Sequence, residues 1–135
     1  MLRAGLKAGA RLAALSMVAA LAWQFLAGRL RAYVIAGESM EPALTAGDWV
    51  LVDRGATAAV GEIVVATRPD RPEIEVLKRV AERNQMGELF LLGDNAEQST
   101  DSREWGWVGP EAVLGVVQFC YWPAARAGRI RPRTR

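Results

Sequence analysis

The chain has 135 residues, of which 51% are hydrophobic, and its formal net charge of +2 hides a strong segregation of charge. Residues 38–111 contain all fifteen acidic residues but only seven of the seventeen basic ones. An acidic middle argues against a nucleic-acid groove, whereas the basic ends suit membrane headgroups. The length leaves room for one small domain.

Two missing residue types exclude several kinds of site. The chain contains no histidine, so a Ser-His-Asp triad is excluded. Its single cysteine, Cys120, cannot form an intramolecular disulfide and lacks the histidine partner that a cysteine nucleophile usually needs. We therefore expect Cys120 to have a packing role.

The first predicted element is an apolar segment over residues 12–28, LAALSMVAALAWQFLAG, which carries no charge. Its seventeen residues are at the short end of the range that spans a bilayer. We expect an uncleaved transmembrane anchor. The alternatives are a buried helix of a soluble domain and a signal peptide cleaved after Ala20-Leu21-Ala22, but the apolar run continues past that triplet.

Basic residues flank the anchor, three before it and two after it: Arg3, Lys7, Arg11, Arg29 and Arg31. The positive-inside rule then predicts a cytoplasmic N-terminus over residues 1–11. We accordingly expect a single-pass protein of the cell membrane, with the remainder of the chain on the extracytoplasmic side.

After Arg31 the pattern changes to short runs of β-branched and aromatic residues between turn signals. It predicts a mostly β fold, a small antiparallel domain over residues 32–123, without an internal helix. A basic tail, 124–135, follows, and we expect its arginine-rich part from Arg126 to be mobile. The predicted strands are Ala32–Ala36, Trp49–Asp53, Ile63–Thr67, Ile74–Arg83, Leu89–Leu92 and Val113–Trp122.

Lys78 is the leading candidate for a general base, because the chain has only two lysines and no histidine. In an extended strand it shares one face with Ile74, Val76 and Val80. An apolar face removes water from the amine and lowers its pKa, a change that arginine would not undergo. The alternative is a lysine that extends its charge to the edge of the sheet, and the strand pattern does not distinguish the two.

Ser39 lies in Gly37-Glu38-Ser39-Met40-Glu41-Pro42, where a serine at a strand end can present its hydroxyl and its own N–H together. This combination suits a nucleophile with an oxyanion donor, although serines in turns are common. A third segment, residues 93–103, is dense in side chains that order loops. Its spacing does not fit a calcium loop, and we expect no metal. Asp101 and Arg103 suit a charge-assisted pair that braces the loop, with Ser99 free to orient the Lys78 amine.

Together these segments resemble the type I signal peptidases, which are membrane-bound serine–lysine proteases. Four short boxes occur in the family's order, and four together are far more specific than one. They are Gly37–Pro42 for the nucleophile, Gly47–Val52 for a structural segment, Leu77–Val80 for the base, and Gly93–Arg103 for the final loop.

The resemblance implies a signal peptidase I-like endopeptidase that removes signal peptides from secretory precursors without a cofactor. Ser39 would attack the scissile carbonyl, Lys78 would take its proton, Ser99 would position Lys78, and Asp101 with Arg103 would hold the loop. The partners would be secretory precursors and membrane lipid, with no nucleic acid. The substrate would bind as an extended strand with small residues before the cut, against Tyr33, Ile35, Met40 and Val76.

Two features depart from the family pattern. Gly37 stands where some members carry a hydroxyl, so the oxyanion hole would rest mainly on the Ser39 N–H. Only fourteen residues separate Lys78 from Gly93, where larger members insert a second β domain. The chain thus resembles a minimal catalytic core.

Two other functions remain open. The C-terminal run from Tyr121 to Arg129 is similar to small actinobacterial members of the family thought to trim nickel superoxide dismutase precursors, which suggests a dedicated maturation peptidase. A membrane-anchored β module that binds extended peptides without cutting them is the non-enzymatic alternative.

Overall fold

The computed structural model describes residues 2–133, with side chains described from residue 9 onward. The chain divides into two compact units, residues 1–30 and 31–135. The first unit contains helix α1, Leu2–Leu26, and the second contains the β-sheet.

Helix α1 is long and apolar enough to cross a membrane. Its 25 residues correspond to about 37 Å at 1.5 Å per residue. The window Gly9–Leu26 has a mean hydropathy of 1.4, and none of it is buried within the protein. The helix ends two residues before the predicted anchor does. Gly28 adopts a φ of 70°, and the Arg29 N–H bonds to the Gln24 carbonyl at 3.0 Å, a helix end that requires a left-handed residue.

The structure confirms the predicted fold class, a small, mostly β domain with antiparallel pairing, which follows one N-terminal helix along the chain. Seven strands form one sheet in the order β1-β2-β6-β3-β4-β5, and β7 pairs with β6. The bounds are β1 Leu30–Val34, β2 Trp49–Asp53, β3 Ile63–Thr67, β4 Glu75–Arg83, β5 Leu89–Leu92, β6 Val113–Trp122 and β7 Gly128–Arg129.

Four predicted strands have the observed bounds, and two differ. Strand β1 lies two residues earlier than predicted, because the chain becomes extended soon after the Gly28 turn. Strand β4 begins at Glu75, because Ile74 closes a turn in which its N–H bonds to the Arg71 carbonyl. The expectation of no internal helix was wrong for one short segment, α2, Ser102–Trp105, whose first turn is capped by Asp101.

The core lies on both faces of the central strand β3. This strand pairs with β6 on one side and β4 on the other, and its first four residues are fully buried. Ile63 and Val65 belong to one apolar cluster, with Leu44 and Val50. Val64 and Ala66, which point to the other face of the strand, belong to a second apolar cluster, with Val80 and Leu91. A strand covered on both faces needs an unbroken apolar run, which is what its sequence supplies.

As far as Arg133, the basic tail is bonded to the sheet unit, whereas we expected it to be mobile from Arg126. Strand β7 pairs with Phe119 and Cys120 of β6. The Arg126 guanidinium forms an ion pair at 3.0 Å with Asp48, a buried carboxylate. Further on, the Arg133 N–H donates to the Gly61 carbonyl at 2.9 Å. Local sequence gives no indication of these contacts, since each joins the tail to a distant segment.

Candidate active site

Ser39 and Lys78 line the same cavity, which has a volume of about 320 Å³. We call it the Ser–Lys cavity. Two consecutive stretches supply its other walls, and its lining residues are Tyr33, Val34, Ile35, Ala36, Gly37, Ser39, Met40, Glu75, Val76, Leu77 and Lys78. Because neighbouring residues in a strand point to opposite faces, a cavity lined by consecutive residues lies along the strand edges.

Both of these edges are free within the described part of the chain. Strand β1 ends the strand order and pairs only with β2. Strand β4 pairs with β3 from Glu75 to Arg79. On its other side its pairing with β5 begins only at Arg79, which lies opposite Leu92. The Ser–Lys cavity therefore lies between two strand edges whose outward backbone groups are available to a third chain.

The bonding alternation of β4 shows which of these groups are available. Val80 exchanges backbone bonds with the turn before β3, and the Ile74 carbonyl accepts from Arg68. Even-numbered residues of β4 thus bond towards β3. In an antiparallel ladder the residues between them turn their N–H and C=O groups the other way, so Glu75 and Leu77 present theirs to the cavity.

Lys78 is buried with only 4% of its surface exposed. Its cross-strand neighbour is Val64, which packs with Val80 in an apolar cluster, as expected for the apolar face of β4. Burial lowers the pKa of the Lys78 amine. The nearby Asp101 carboxylate opposes this shift, and Arg68 and Arg103 reinforce it.

Ser39 is half-buried in a turn that follows β1. Gly37 begins this turn with a φ of 82°, a value that favours glycine. The Ser39 carbonyl accepts a hydrogen bond of 3.0 Å from the Asn95 N–H. The turn that contains Ser39 and the loop after β5 are therefore joined directly.

The loop after β5 is organised around Asp101, which is fully buried. One carboxylate oxygen accepts from the Gly93 N–H at 2.9 Å and from the Ser99 hydroxyl at 2.7 Å. The Arg103 guanidinium donates to both oxygens at 2.8 Å. Burial alone would raise the pKa of Asp101, but the hydrogen bonds from Arg103, Gly93 and Ser99 hold it well below its usual range.

Ser99 and Ser39 meet at Gly93. A methyl group on Gly93 would overlap the Ser99 hydroxyl and would lie 2.7 Å from the Ser39 carbonyl oxygen. The Ser99 hydroxyl donates its proton to Asp101, so only its oxygen lone pairs can accept from a neighbour such as an amine. Ser99 remains our candidate for positioning Lys78.

The four residues expected to bind substrate all line the cavity, but in two different ways. Ile35 and Met40 are 5% and 2% exposed and belong to the apolar core, so they form its floor. Tyr33 and Val76 are half-buried at its walls.

Sequence reasoning did not find two pairs at the site. Arg79 forms a bidentate ion pair with Asp94, at 2.8 and 2.6 Å, and donates to the Gly61 carbonyl at 2.7 Å. Strand alternation correctly predicted that the Arg79 side chain points away from that of Lys78. No feature of the sequence predicts that Arg79 pairs with Asp94. The second pair is Tyr33 and Glu75, which both line the cavity; burial and then the Glu75 carboxylate raise the pKa of Tyr33.

A larger cavity of about 710 Å³ shares only the supporting loop with this site. It is lined by Arg79, Gly93, Asp94, Arg103 and others, but neither Ser39 nor Lys78 reaches it. We therefore assign the candidate chemistry to the smaller cavity. Within residues 2–133 no group of three or more His, Cys, Asp or Glu side chains is placed to hold a metal ion.

Comparison with known proteins agrees with this arrangement. Residues 5–107 match the model of the family described as Peptidase S24-like. Mitochondrial inner membrane protease subunit 1 of Xenopus tropicalis is 29% identical over 121 residues, covering 73% of this chain and 72% of that protein. The human protein of that name is 29% identical over 118 residues, covering 70% and 71%.

A shorter segment matches bacterial proteins more closely. Signal peptidase I of Bacillus caldolyticus is 49% identical over 37 residues, which are 27% of this chain and 20% of that protein. The matched residues cover α1 from residue 5 and the strands up to β5, and so contain every lining residue of the Ser–Lys cavity. The chain is a peptidase that belongs to the Peptidase S24-like family, and its similarity to proteins named signal peptidase I and mitochondrial inner membrane protease subunit 1 supports the resemblance to the type I signal peptidases.

Proposed function

We propose that this protein is a membrane-anchored serine endopeptidase that removes signal peptides from secretory precursors with a Ser39–Lys78 dyad. The observation that carries the proposal is the Ser–Lys cavity, to which one serine hydroxyl and one buried lysine both contribute. The lowered pKa of Lys78 supports a role as general base, because a base must be unprotonated at the working pH.

In the proposed reaction the Ser39 hydroxyl attacks the scissile carbonyl and its proton passes to the Lys78 amine. The Ser39 N–H stabilises the resulting oxyanion. As the C–N bond breaks, Lys78 returns the proton to the leaving amine, which yields an acyl-enzyme on Ser39. Lys78 then takes a proton from water, the ester is hydrolysed, and Ser39 recovers its hydroxyl.

The two free strand edges support binding of an extended substrate. A peptide between them could bond to β1 on one side and to the outward backbone groups of Glu75 and Leu77 on the other, a form of strand addition. Backbone bonds of this kind do not depend on sequence, so selectivity would come from the side chains along the cavity. The apolar floor, formed by Ile35 and Met40, suits small apolar residues before the cut.

Helix α1 supports the proposed location. Its apolar window could cross one bilayer, and a signal peptide is itself an apolar segment that enters a membrane. We propose a single-pass protein with a cytoplasmic N-terminus and with the Ser–Lys cavity on the opposite side of the membrane.

The test is cleavage of a precursor by the full chain in detergent, comparing wild type with Ser39→Ala. We expect Ser39→Ala to lose cleavage while retaining its fold, as judged by circular dichroism. Ser16→Ala is the matched control, because the Ser16 hydroxyl only donates to the Leu12 carbonyl within α1. Cleavage by Ser39→Ala at the wild-type rate would refute the proposal.

Complementation of a bacterium depleted of its signal peptidase separates a general enzyme from a dedicated one. Rescue by wild type but not by Ser39→Ala supports general processing of precursors. Failure by a folded protein that still cleaves a test peptide supports the dedicated maturation peptidase. Binding of the peptide without cleavage supports the non-enzymatic module.

A further inference from the structure

Arg68, in the turn after β3, lies on the same face of the sheet as Lys78. In the β3–β4 ladder Lys78 is opposite Val64, and Arg68 is four residues after Val64. The ladder continues to Arg68, whose N–H bonds to the Ile74 carbonyl at 3.0 Å. Opposite residues in a ladder share a face, as do alternate residues along one strand. The Arg68 and Lys78 side chains therefore lie on one face.

Two groups hold the Arg68 guanidinium in place. It donates two hydrogen bonds to the Asp70 carboxylate, at 3.0 and 2.7 Å. Its central carbon lies 5.2 Å from the centroid of the Trp105 ring, within the range of a cation–π contact. Trp105 is the last residue of α2, the helix that Asp101 caps. Arg68 is thus in contact with the segment that directly follows Asp101.

Three charged side chains act on the Lys78 amine. Asp101 favours its protonation, whereas Arg68 and Arg103 oppose it, and Arg68 has the larger effect of the two. Arg103 pairs with Asp101 at 2.8 Å, so the effects of these two residues on Lys78 offset each other in part. Arg68 is therefore the main positive charge near Lys78 that Asp101 does not neutralise.

The other titratable groups nearby do not replace Arg68 in this respect. Tyr33 and Glu75 line the Ser–Lys cavity, but the raised pKa of Tyr33 keeps the phenol neutral, and alternation places the Glu75 side chain on the face opposite Lys78. Asp70 is 47% exposed and Arg68 only 21%, so solvent screens the carboxylate more than the guanidinium. Arginine stays protonated at every working pH, so its charge is permanent.

We propose that Arg68, held by Asp70 and Trp105, is a positioning residue for the proposed general base, whose permanent charge keeps the Lys78 amine free of a proton. The proposal rests on the function proposed above. Arg68 does not line the Ser–Lys cavity, so it acts only through Lys78 and not on the substrate.

The direct test is the titration of Lys78 in the full chain in detergent, followed by NMR with isotope-labelled lysine. The chain has only two lysines, so a Lys7→Arg background leaves a single lysine signal. We expect Arg68→Gln to raise the pKa of Lys78 by about half a pH unit, because a like charge no longer opposes protonation. Arg68→Lys retains the charge and should leave the pKa near its wild-type value.

The pH profile for cleavage of a signal-sequence peptide should follow this titration. In Arg68→Gln the midpoint of kcat/KM should move to higher pH, so cleavage falls about threefold well below the midpoint and equals wild type above it. A variant with a damaged fold would lose activity at every pH. Arg71→Gln is the matched control, since it removes the same charge at an exposed position in the same turn and Arg71 is not among the charges that act on Lys78. It should change neither the titration nor the profile.

An unchanged titration of Lys78 in Arg68→Gln, or an equal shift in Arg71→Gln, overturns the inference but leaves the proposed function intact. A shifted titration without a matching shift in the cleavage profile would overturn the proposed role of Lys78 as the base, and this inference with it.

Discussion

Two buried ionisable groups near the site, Lys78 on β4 and Asp101 in the loop after β5, are treated in opposite ways by their surroundings. Lys78 faces apolar side chains, and no hydrogen bond or ion pair reaches its amine within residues 2–133. The Asp101 carboxylate accepts five hydrogen bonds. Burial disfavours charge on both, yet the shifts in pKa favour a neutral amine and a charged carboxylate. The bonding partners, rather than burial, decide which group stays ionised.

This difference also divides the tasks of the site. No hydrogen bond or ion pair within residues 2–133 engages the Lys78 amine, so its nitrogen lone pair is available to accept a proton in the proposed mechanism. The loop that carries Asp101 uses charge to hold Gly93, Ser99 and Arg103 in place. The hydrogen-bonded loop acts on the Lys78 amine through the charge of Asp101.

The largest effect should follow from restoring a permanent charge at the base. Lys78→Arg keeps the positive charge but cannot deprotonate, so we expect kcat to fall about 10³-fold, within the range attributed to general bases. Lys7→Arg, at the only other lysine, is the matched control and should cleave normally. A Lys78→Arg variant with near-wild-type kcat would mean that another group takes the proton.

A smaller effect should follow from removing the charge of Asp101. Asp101→Asn keeps the shape but weakens the hydrogen bonds from Gly93, Ser99 and Arg103, and we expect a loss of about 2 kcal/mol in the free energy of unfolding. Urea denaturation would measure it. Asp70→Asn breaks a pair with Arg68 at an exposed site and should be close to neutral. Equal effects of the two substitutions would show that the Asp101 loop is not specially stabilised.

The smallest effect should appear in the pH profile. In the proposed mechanism only the neutral amine of Lys78 accepts a proton, so kcat/KM of wild type should rise with pH, with its midpoint below 10.5, the ordinary pKa of lysine. Asp101 raises the pKa of Lys78 by attraction, so Asp101→Asn should move the midpoint to lower pH. A midpoint that does not move would show that the carboxylate acts on Lys78 only through the loop.

When charged, Lys78 lowers the free energy of unfolding, whereas Asp101 raises it. A lysine whose pKa is lowered on folding disfavours the native state while it is charged, so stability rises as pH increases through the folded pKa towards 10.5. The lowered pKa of Asp101 stabilises the fold above the unfolded pKa of aspartate, and that stability is lost as pH falls towards the folded value.

Local patterns in the sequence were sufficient for much of the fold. Four strands were predicted with their observed bounds, because alternation and turn residues act within a few positions. The apolar face of Lys78 followed from the same alternation, and Val64 across the ladder agrees with it.

Non-local features could not be obtained in this way. The pairing of Arg79 with Asp94 depends on how β4 and the following loop meet in space, and the contact of Arg126 with Asp48 joins residues 78 positions apart. The tail was expected to be mobile because its arginine-rich sequence lacks the hydrophobic periodicity of a strand or helix. The Ser–Lys cavity lies at an edge because the pairing of β5 with β4 stops at Arg79. The sequence of one strand does not show where its pairing with another strand stops.

The Gly61 carbonyl links the C-terminal segment to strand β4, which carries Lys78. It accepts from the Arg133 backbone and from the Arg79 guanidinium, and a side chain at position 61 would collide with the Arg133 backbone. The Arg133 backbone therefore helps to position the Gly61 carbonyl that accepts from Arg79, the residue after Lys78. The C-terminal segment is consequently a poor place to attach a tag or to shorten the protein. A change there would disturb Arg79, next to Lys78, through the two hydrogen bonds of the Gly61 carbonyl.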